Sequence, residues 1–128
     1  MDELIQLSLV RCAAGDDKRS EIVPTTLDRA VLRERLISES QQEVAADEAK
    51  GLHLAAIDAE HGPVTYLQQI NEGGFFVYVG DPSNLEEHWF GAGSWVAFND
   101  HQGSGHASKA GPNGCKRTFR MLRGHLAT

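Results

Sequence analysis

The spacing of apolar residues changes along the first fifty positions. Apolar and polar residues alternate loosely from Leu4 to Val10, which predicts a β-strand. After a polar turn, Leu27, Val31 and their apolar neighbours recur at helical spacing, which predicts an amphipathic helix over residues 26–37. Asp28 suits the positive first turn of that helix. A second helical stretch is predicted at residues 43–50, ending at a glycine.

From Gly51 onward the apolar period becomes two, which is typical of half-buried strands. Short turn sequences separate the strand candidates, so hairpin connections and an antiparallel meander are expected. The predicted strands are residues 52–58, 64–70, 75–79, 86–90 and 94–98.

The composition shifts after Asp100. Residues 101–114 are small, polar and rich in glycine, and they predict a flexible loop. Residues 115–127 predict a short basic helix, weakened by Gly124. The expected fold class is therefore α+β: a meander of about five to six strands, one N-terminal helix and a short C-terminal helix. Residues 1–100 form the expected domain, and residues 101–128 belong to it or extend it.

The charge is unevenly distributed along the 128 residues. The first 100 carry all 18 acidic residues and 7 of the 12 basic ones, a net charge of −11. Such a body is repelled by nucleic acid and by anionic membranes, and it attracts a basic partner. The alternative is a solvated acidic surface that serves solubility alone.

Two cysteines, Cys12 and Cys115, form no CxxC pair. This excludes a disulfide framework or a cysteine-rich zinc site and favours reduced thiols. The acidic start lacks the features of a signal peptide, and no apolar run approaches the ~18 residues that span a bilayer. The expected location is the cytoplasm.

The sequence shows no recognisable catalytic set. The phosphate-binding loop and the dinucleotide fingerprint are both missing, and so is the Gly-x-Ser-x-Gly elbow. Glu86 and Glu87 are adjacent, so on a strand they face opposite ways and cannot act as an acid–base pair. The turn at Asp58, Glu60 and His61 is polar but typical of hairpins. We therefore expect no enzyme activity, no cofactor and no metal.

An acidic and aromatic segment remains as the candidate site. Large aromatic side chains supply much of the binding energy at protein interfaces, and acidic residues at the rim steer a basic partner. Trp95 is expected in the core. The predicted partner-binding residues are Asp81, Glu86, Glu87, His88 and Trp89, with Asp58 and Glu60 as second choices.

The order of these segments resembles the first-numbered immunity family of bacterial polymorphic toxin systems. The resemblance rests on a first strand, a Thr-Leu-Asp helix start, a meander, an aromatic strand running into Gly-Asp-Pro, and a Trp-x-x-Phe strand. It covers most of residues 4–98; the family's closing amphipathic helix has no clear counterpart here.

The resemblance implies a non-catalytic α+β protein. Such a protein binds the C-terminal domain of a cognate toxin, often a nucleic-acid deaminase, as a monomer in a 1:1 complex, and blocks its active site. A basic active-site groove that attracts a polyanion also attracts an acidic inhibitor.

Two other functions fit the same sequence. The first is an acidic chaperone or adaptor for a secreted effector, which would bind the delivery region of a toxin. The second is a small enzyme or metal-binding domain that uses His101, His106, His125 and Cys115.

Overall fold

The computed structural model describes residues 3–54 and 57–126. Within these ranges the chain forms nine strands and one short helix. The elements are β1 (Leu4–Cys12), β2 (Ser20–Asp28), α1 (Arg29–Arg35), β3 (Leu36–Val44), β4 (Ala49–His53), β5 (Ile57–Asp58), β6 (Gly62–Asp81), β7 (Asn84–Gly91), β8 (Trp95–Phe98) and β9 (His106–Arg123). The predicted strand at 52–58 includes residues 55 and 56, and the predicted C-terminal helix includes residue 127; these three positions lie outside the described residues.

The chain is mostly β, so the predicted α+β class with an N-terminal and a C-terminal helix is wrong. The N-terminal helix has only seven residues. Its expected first turn belongs instead to β2, which pairs with β1 from Leu4 opposite Asp28 to Cys12 opposite Ser20. Asp28 is the N-cap of α1, where its Oδ1 accepts a hydrogen bond from the Ala30 amide at 2.8 Å. Continuous pairing with a neighbouring strand overrides the helical spacing of the apolar residues.

The other two predicted helices are also strands. Residues 43–50 include the end of β3, a turn and the start of β4. Residues 115–123 of the predicted basic C-terminal helix form one half of β9, and residues 106–114 of the predicted flexible loop form the other half. This strand lies between β6 and β3 in the sheet. Its residues alternate between the two faces, so Leu122 and Cys115 lie on opposite faces. Both are buried, whereas Lys116 is exposed. No helix in the described ranges has the length and apolar character needed to cross a bilayer.

One long strand replaces two strands of the predicted meander. β6 runs for 20 residues, and the predicted turn at 71–74 is an irregularity within it. The register with β9 shifts between Ile70 and Glu72 and again between Gly73 and Phe75. The strand therefore bends without reversing, and its two halves acquire different neighbours.

The bend divides the sheet into two limbs. The first limb contains residues 62–70 of β6 and 115–123 of β9, together with β2, β1, β8 and β3; β1 runs parallel to β8. The second limb contains residues 74–81 of β6 and 106–110 of β9, together with β7 and β4.

Two apolar clusters stabilise the limbs. The first lies beneath α1 on one face of the first limb, and its buried members are Ile5, Leu7, Leu9, Leu27, Leu32, Leu67, Ala97 and Leu122. The second joins the opposite face of the first limb to the second limb, and its buried members are Val10, Ile70, Phe75, Val77, Val79, Val96, Phe98 and Cys115. The two limbs thus enclose a shared interior.

Candidate functional site

The hairpin of β6 and β7 arranges most of the predicted partner-binding residues. Phe76 lies opposite Trp89, and Tyr78 lies opposite Glu87. Directly opposite residues of an antiparallel pair project from the same face of a sheet. We call these four residues the outer aromatic surface. Burial and the neighbouring Glu87 carboxylate, which accepts a hydrogen bond from the phenol, raise the pKa of Tyr78.

Trp89 is the most prominent side chain of the outer aromatic surface. Its side chain is half-exposed, at 50%. The indole ring centroid lies 4.8 Å from that of Phe76, with the rings inclined at 56°. A Cβ atom on Gly74 would lie 2.5 Å from the indole, and one on Gly111 would lie 2.8 Å from it. These two glycines therefore let the indole lie flat against the backbone.

A shallow groove of about 430 Å³ runs beside the indole. Phe76 and Trp89 form one wall, and the Gly-Pro-Asn-Gly segment at residues 111–114 forms another. Apolar surface of this kind, with the exposed Glu87 on the same face, is typical of a protein interface.

The structure separates other predicted members of the site. Glu86 lies opposite Val79 and His88 lies opposite Val77, so both project from the face opposite to Glu87 and Trp89. Val77 and Val79 are buried in the second apolar cluster. Glu86 is exposed and His88 is half-buried along β7. A partner on the outer aromatic surface would therefore meet Glu87 and Trp89 but not these two residues.

Asp81 has a structural role in the turn between β6 and β7. Its Oδ1 accepts hydrogen bonds from the Ser83 amide at 3.0 Å and the Ser83 hydroxyl at 2.8 Å. These bonds, with a smaller contribution from Arg19, lower the pKa of the Asp81 carboxyl. A carboxylate that accepts such bonds stabilises a turn, so Oδ1 of Asp81 is engaged within the protein, while Oδ2 lies 3.9 Å from Arg19.

The second-choice residues lie at the other end of β6. Asp58 accepts hydrogen bonds from the amides of Glu60 and His61, and its Oδ2 lies 2.9 Å from Nδ1 of His61. The bond to the His61 side chain is the largest cause of the lowered pKa of Asp58. Since β6 separates this turn from Asp81 by nearly its whole length, one small contact cannot include both.

The residues considered for a metal do not assemble as a set. His101 packs against His125 with ring centroids 4.5 Å apart, whereas His106 lies against Asp100. Cys115 is in the core, where burial raises the pKa of its thiol. Within the described ranges, the one group of three potential ligands close enough for a single ion is Asp58, Glu60 and His61. That group is a polar hairpin turn with no further sign of a ligand.

The charge asymmetry of the sequence is partly cancelled in the fold. Arg120 forms an ion pair with Glu39 at 2.6 Å, and Lys116 lies 3.5 Å from Glu72. The basic C-terminal segment thus neutralises acids of the first 100 residues through the pairing of β9 with β3 and β6. The net charge of the first 100 residues therefore does not describe the folded protein, and attraction of a basic partner must come from acidic residues on one particular surface.

Sequence reasoning missed two members of the outer aromatic surface. Phe76 and Tyr78 were predicted only as part of a sheet. The alternation from residue 75 to 79 places both on one face, but without the β6–β7 register the exposed face cannot be identified. Sequence reasoning also missed a second concavity, on the opposite side of β6, which is lined by basic and aromatic residues.

Comparisons of the chain with protein-family models, with curated proteins and with solved structures gave no significant match.

Proposed function

We infer that this protein is a non-catalytic inhibitor that binds a cognate bacterial toxin domain through the outer aromatic surface. The observation that carries the inference is the half-exposed Trp89 packed on Phe76 beside an apolar groove. Tryptophan and tyrosine in such settings are the residues that most often dominate binding energy. The toxin as partner follows from the family resemblance of the sequence.

The edge position of β7 supports the same proposal. In the described part of the chain β7 pairs with β6 alone, so its outer edge has backbone groups available to a partner strand. Glu87 places negative charge on the face of this edge that carries Trp89. A domain that acts on nucleic acid has a basic groove, which suits an acidic edge with an aromatic anchor.

A matched pair of charge reversals on β7 tests the surface. Glu86 and Glu87 are adjacent and both exposed, but they project from opposite faces. The resemblance places a toxin gene beside the gene of this protein; the C-terminal domain of that toxin is co-expressed with each variant, and cell survival and the Kd in vitro are measured. We expect Glu87→Lys to weaken binding most strongly at low salt and Glu86→Lys to retain nearly full protection.

Removal of the indole tests the anchor. Trp89→Ala should weaken binding on the order of thirtyfold or more, because an interface hot spot contributes about 2 kcal/mol or more. The variant should stay folded, since half of this side chain is exposed. Unchanged protection by both Trp89→Ala and Glu87→Lys would exclude the outer aromatic surface. Binding to the delivery region of the toxin instead of its catalytic end would indicate the adaptor function.

A further inference from the structure

The second concavity is a cavity of about 510 Å³ between the two limbs of the sheet. Phe75 projects into it, whereas its neighbour Phe76 projects to the outer aromatic surface. Small-molecule sites are concave, mostly apolar and a few hundred Å³ in size, with a small number of polar groups that orient the ligand. This cavity has that size and that mixture of residues.

The cavity is basic. Arg117, Lys50, His53 and His106 contribute to its wall, and none of its described lining residues is an aspartate or a glutamate. The aromatic rings of Phe75, Phe98 and Phe119 supply most of the apolar lining. Arg117 and Lys50 give this wall its positive charge, because burial disfavours the charged form of His53. The Asp100 carboxylate lies behind His106 and outside the lining, so the wall favours an anion.

Arg117 is the cation that most clearly needs a partner. Its Nε donates a hydrogen bond to Gln42 Oε1 at 2.9 Å, and its guanidinium carbon lies 5.6 Å from the Phe75 ring centroid. Burial is the main cause of the lowered pKa of this guanidinium. On either side of it along β9, Lys116 and Arg120 have acidic partners. Among the described residues no carboxylate lies within ion-pair distance of Arg117, and Glu48 acts on it only from farther away. A desolvated cation without a close counter-ion is costly.

Gln68 supplies an independent sign of a ligand. Its side chain lines the cavity and only 8% of the residue is exposed. Its Oε1 is buried without a hydrogen-bond partner. Such an unsatisfied acceptor costs free energy unless a donor reaches it, and a ligand in the cavity can supply that donor.

A buried polar network fixes the floor of the cavity. Asp100 is completely buried; its Oδ2 accepts a hydrogen bond from the Ser20 hydroxyl at 2.6 Å and lies 2.7 Å from His106 Nδ1. The His106 ring stacks on Phe98 with centroids 4.6 Å apart. Since Asp100 occupies Nδ1, the ring nitrogen that remains for a ligand is Nε2. A histidine held by a buried carboxylate and an aromatic ring keeps one orientation.

We propose that this cavity binds a small aromatic carboxylic acid that also carries a hydrogen-bond donor. The carboxylate pairs with the Arg117 guanidinium, the aromatic body packs among Phe75, Phe98 and Phe119, and the donor bonds Gln68 Oε1. Planar guanidinium and carboxylate groups match in two parallel hydrogen bonds. The site is distinct from the outer aromatic surface and does not depend on the toxin proposal.

Three matched probes test each element of the ligand. They are 6-hydroxy-2-naphthoate, 2-naphthoate, which lacks the hydroxyl donor, and 6-hydroxy-2-naphthamide, which lacks the charge. Titration calorimetry with the full chain should rank the hydroxynaphthoate first. The amide should bind about tenfold more weakly or worse, because it loses the charge-assisted hydrogen bonds.

Three variants connect the binding to the cavity. Arg117→Met should reduce hydroxynaphthoate affinity about tenfold or more but leave amide affinity nearly unchanged. Gln68→Met should abolish the preference for the hydroxyl and leave 2-naphthoate binding unchanged. Lys116→Met is the matched control, since it removes one positive charge from the adjacent, exposed position on β9. It should leave all three affinities unchanged.

The proposal is overturned if none of the three probes binds, or if Arg117→Met and Gln68→Met bind like the parent chain. Inorganic phosphate that binds as tightly as hydroxynaphthoate would also overturn it, because the aromatic wall would then contribute nothing. Far-UV circular dichroism checks the fold of each variant. Should Arg117→Met unfold, the Gln68→Met comparison of hydroxynaphthoate with 2-naphthoate decides alone.

Discussion

Trp89 and Trp95 differ in environment although they lie close together in the sequence. Trp95 packs partly buried against the cluster beneath α1, with the guanidinium carbons of Arg120 and Arg29 lying 5.2 Å and 6.0 Å from its ring centroid. Trp89 lies half-exposed over two glycines. The sequence distinguishes the two by the acids beside Trp89, but the glycines that make room for its indole are remote in sequence. Exposure of Trp89 therefore depends on the register between β6, β7 and β9.

The environments of the individual acidic residues also depend on structure that the sequence does not reveal. Sequence reasoning treats Asp81, Glu86 and Glu87 as one acidic group. In the fold Asp81 holds a turn, Glu86 belongs to one face of β7, and Glu87 belongs to the other. Alternation along the strand predicts the separation of the last two. The turn bonds of Asp81 depend on the local conformation, which composition does not specify.

His53 provides a pH-dependent prediction at the cavity wall. Burial is the main cause that lowers the pKa of His53 below its ordinary value, and the nearby His106 and Lys50 contribute; the Gly51 carbonyl and Asp100 oppose them. The unfolded chain therefore takes up this proton at a higher pH than the folded chain. Neutral His53 therefore stabilises the folded chain relative to the unfolded chain. This stabilisation is complete above the pKa of about 6.5 that His53 has in the unfolded chain, and it is lost as the pH falls through the pKa of His53 in the folded chain.

We expect His53→Gln to reduce the loss of unfolding free energy between pH 7.5 and pH 5. Urea denaturation at a series of pH values measures it. Above pH 7.5 His53 is neutral in the folded and the unfolded chain. The unfolding free energies of the variant and the parent chain should therefore change with pH in the same way there. If His53→Gln lost as much unfolding free energy between pH 7.5 and pH 5 as the parent chain does, the lowered pKa of His53 would be contradicted.

At the scale of elements, the bend of β6 depends on Gly73. This residue has a φ of 71°, which favours glycine, and a Cβ there would clash with the backbone carbonyl oxygen of Gly114 on β9. The two glycines therefore permit close approach of β6 and β9 where the limbs diverge. A side chain at this position must displace one of two central strands.

Gly73→Ala should lower the free energy of unfolding by about 2–4 kcal/mol, the sum of left-handed backbone strain and the clash. Gly51→Ala on β4 is the control, because a Cβ there meets nothing within 4 Å and its φ is not in the left-handed range. The control should be neutral or stabilising by about 0.4–1 kcal/mol. Urea denaturation compares them. Similar effects of both substitutions would mean that the bend does not need this glycine.

The predictions of secondary structure are right where apolar and polar residues alternate along a single strand. They are wrong where a strand pairs with a segment that is distant in the sequence. The first strand is confirmed as β1, and strands near residues 86–90 and 94–98 are confirmed as β7 and β8. The helix predicted at 26–37 is shorter in the structure, because its first residues pair with β1 as a strand. The 71–74 segment has the glycines of a turn, but β9 pairs with both sides of it and keeps the strand continuous. Local sequence does not reveal this partner, which is remote along the chain.

At the scale of the whole molecule, β9 connects the elements that precede it in the chain. It pairs with β6 in both limbs, with β3 in the first limb and with β4 in the second. It also buries Leu122 and Cys115 in different apolar clusters. The abrupt change in composition after Asp100 therefore does not mark a structural boundary. The basic segment completes the sheet and provides counter-ions for Glu39 and Glu72.

This arrangement predicts that residues 1–100 alone do not fold. Without β9, the centre of the first limb would expose the edges of β6 and β3, and both apolar clusters would lose a buried wall. The fragment should show a non-cooperative urea transition and poor dispersion of its amide NMR signals, whereas the full chain should unfold cooperatively. A matched truncation that ends at residue 124, just after β9, should retain the cooperative transition, although it loses the amide of Leu126 that bonds Thr65 Oγ1. A well-dispersed spectrum from residues 1–100 would instead show that the basic segment is an appendage to an autonomous domain.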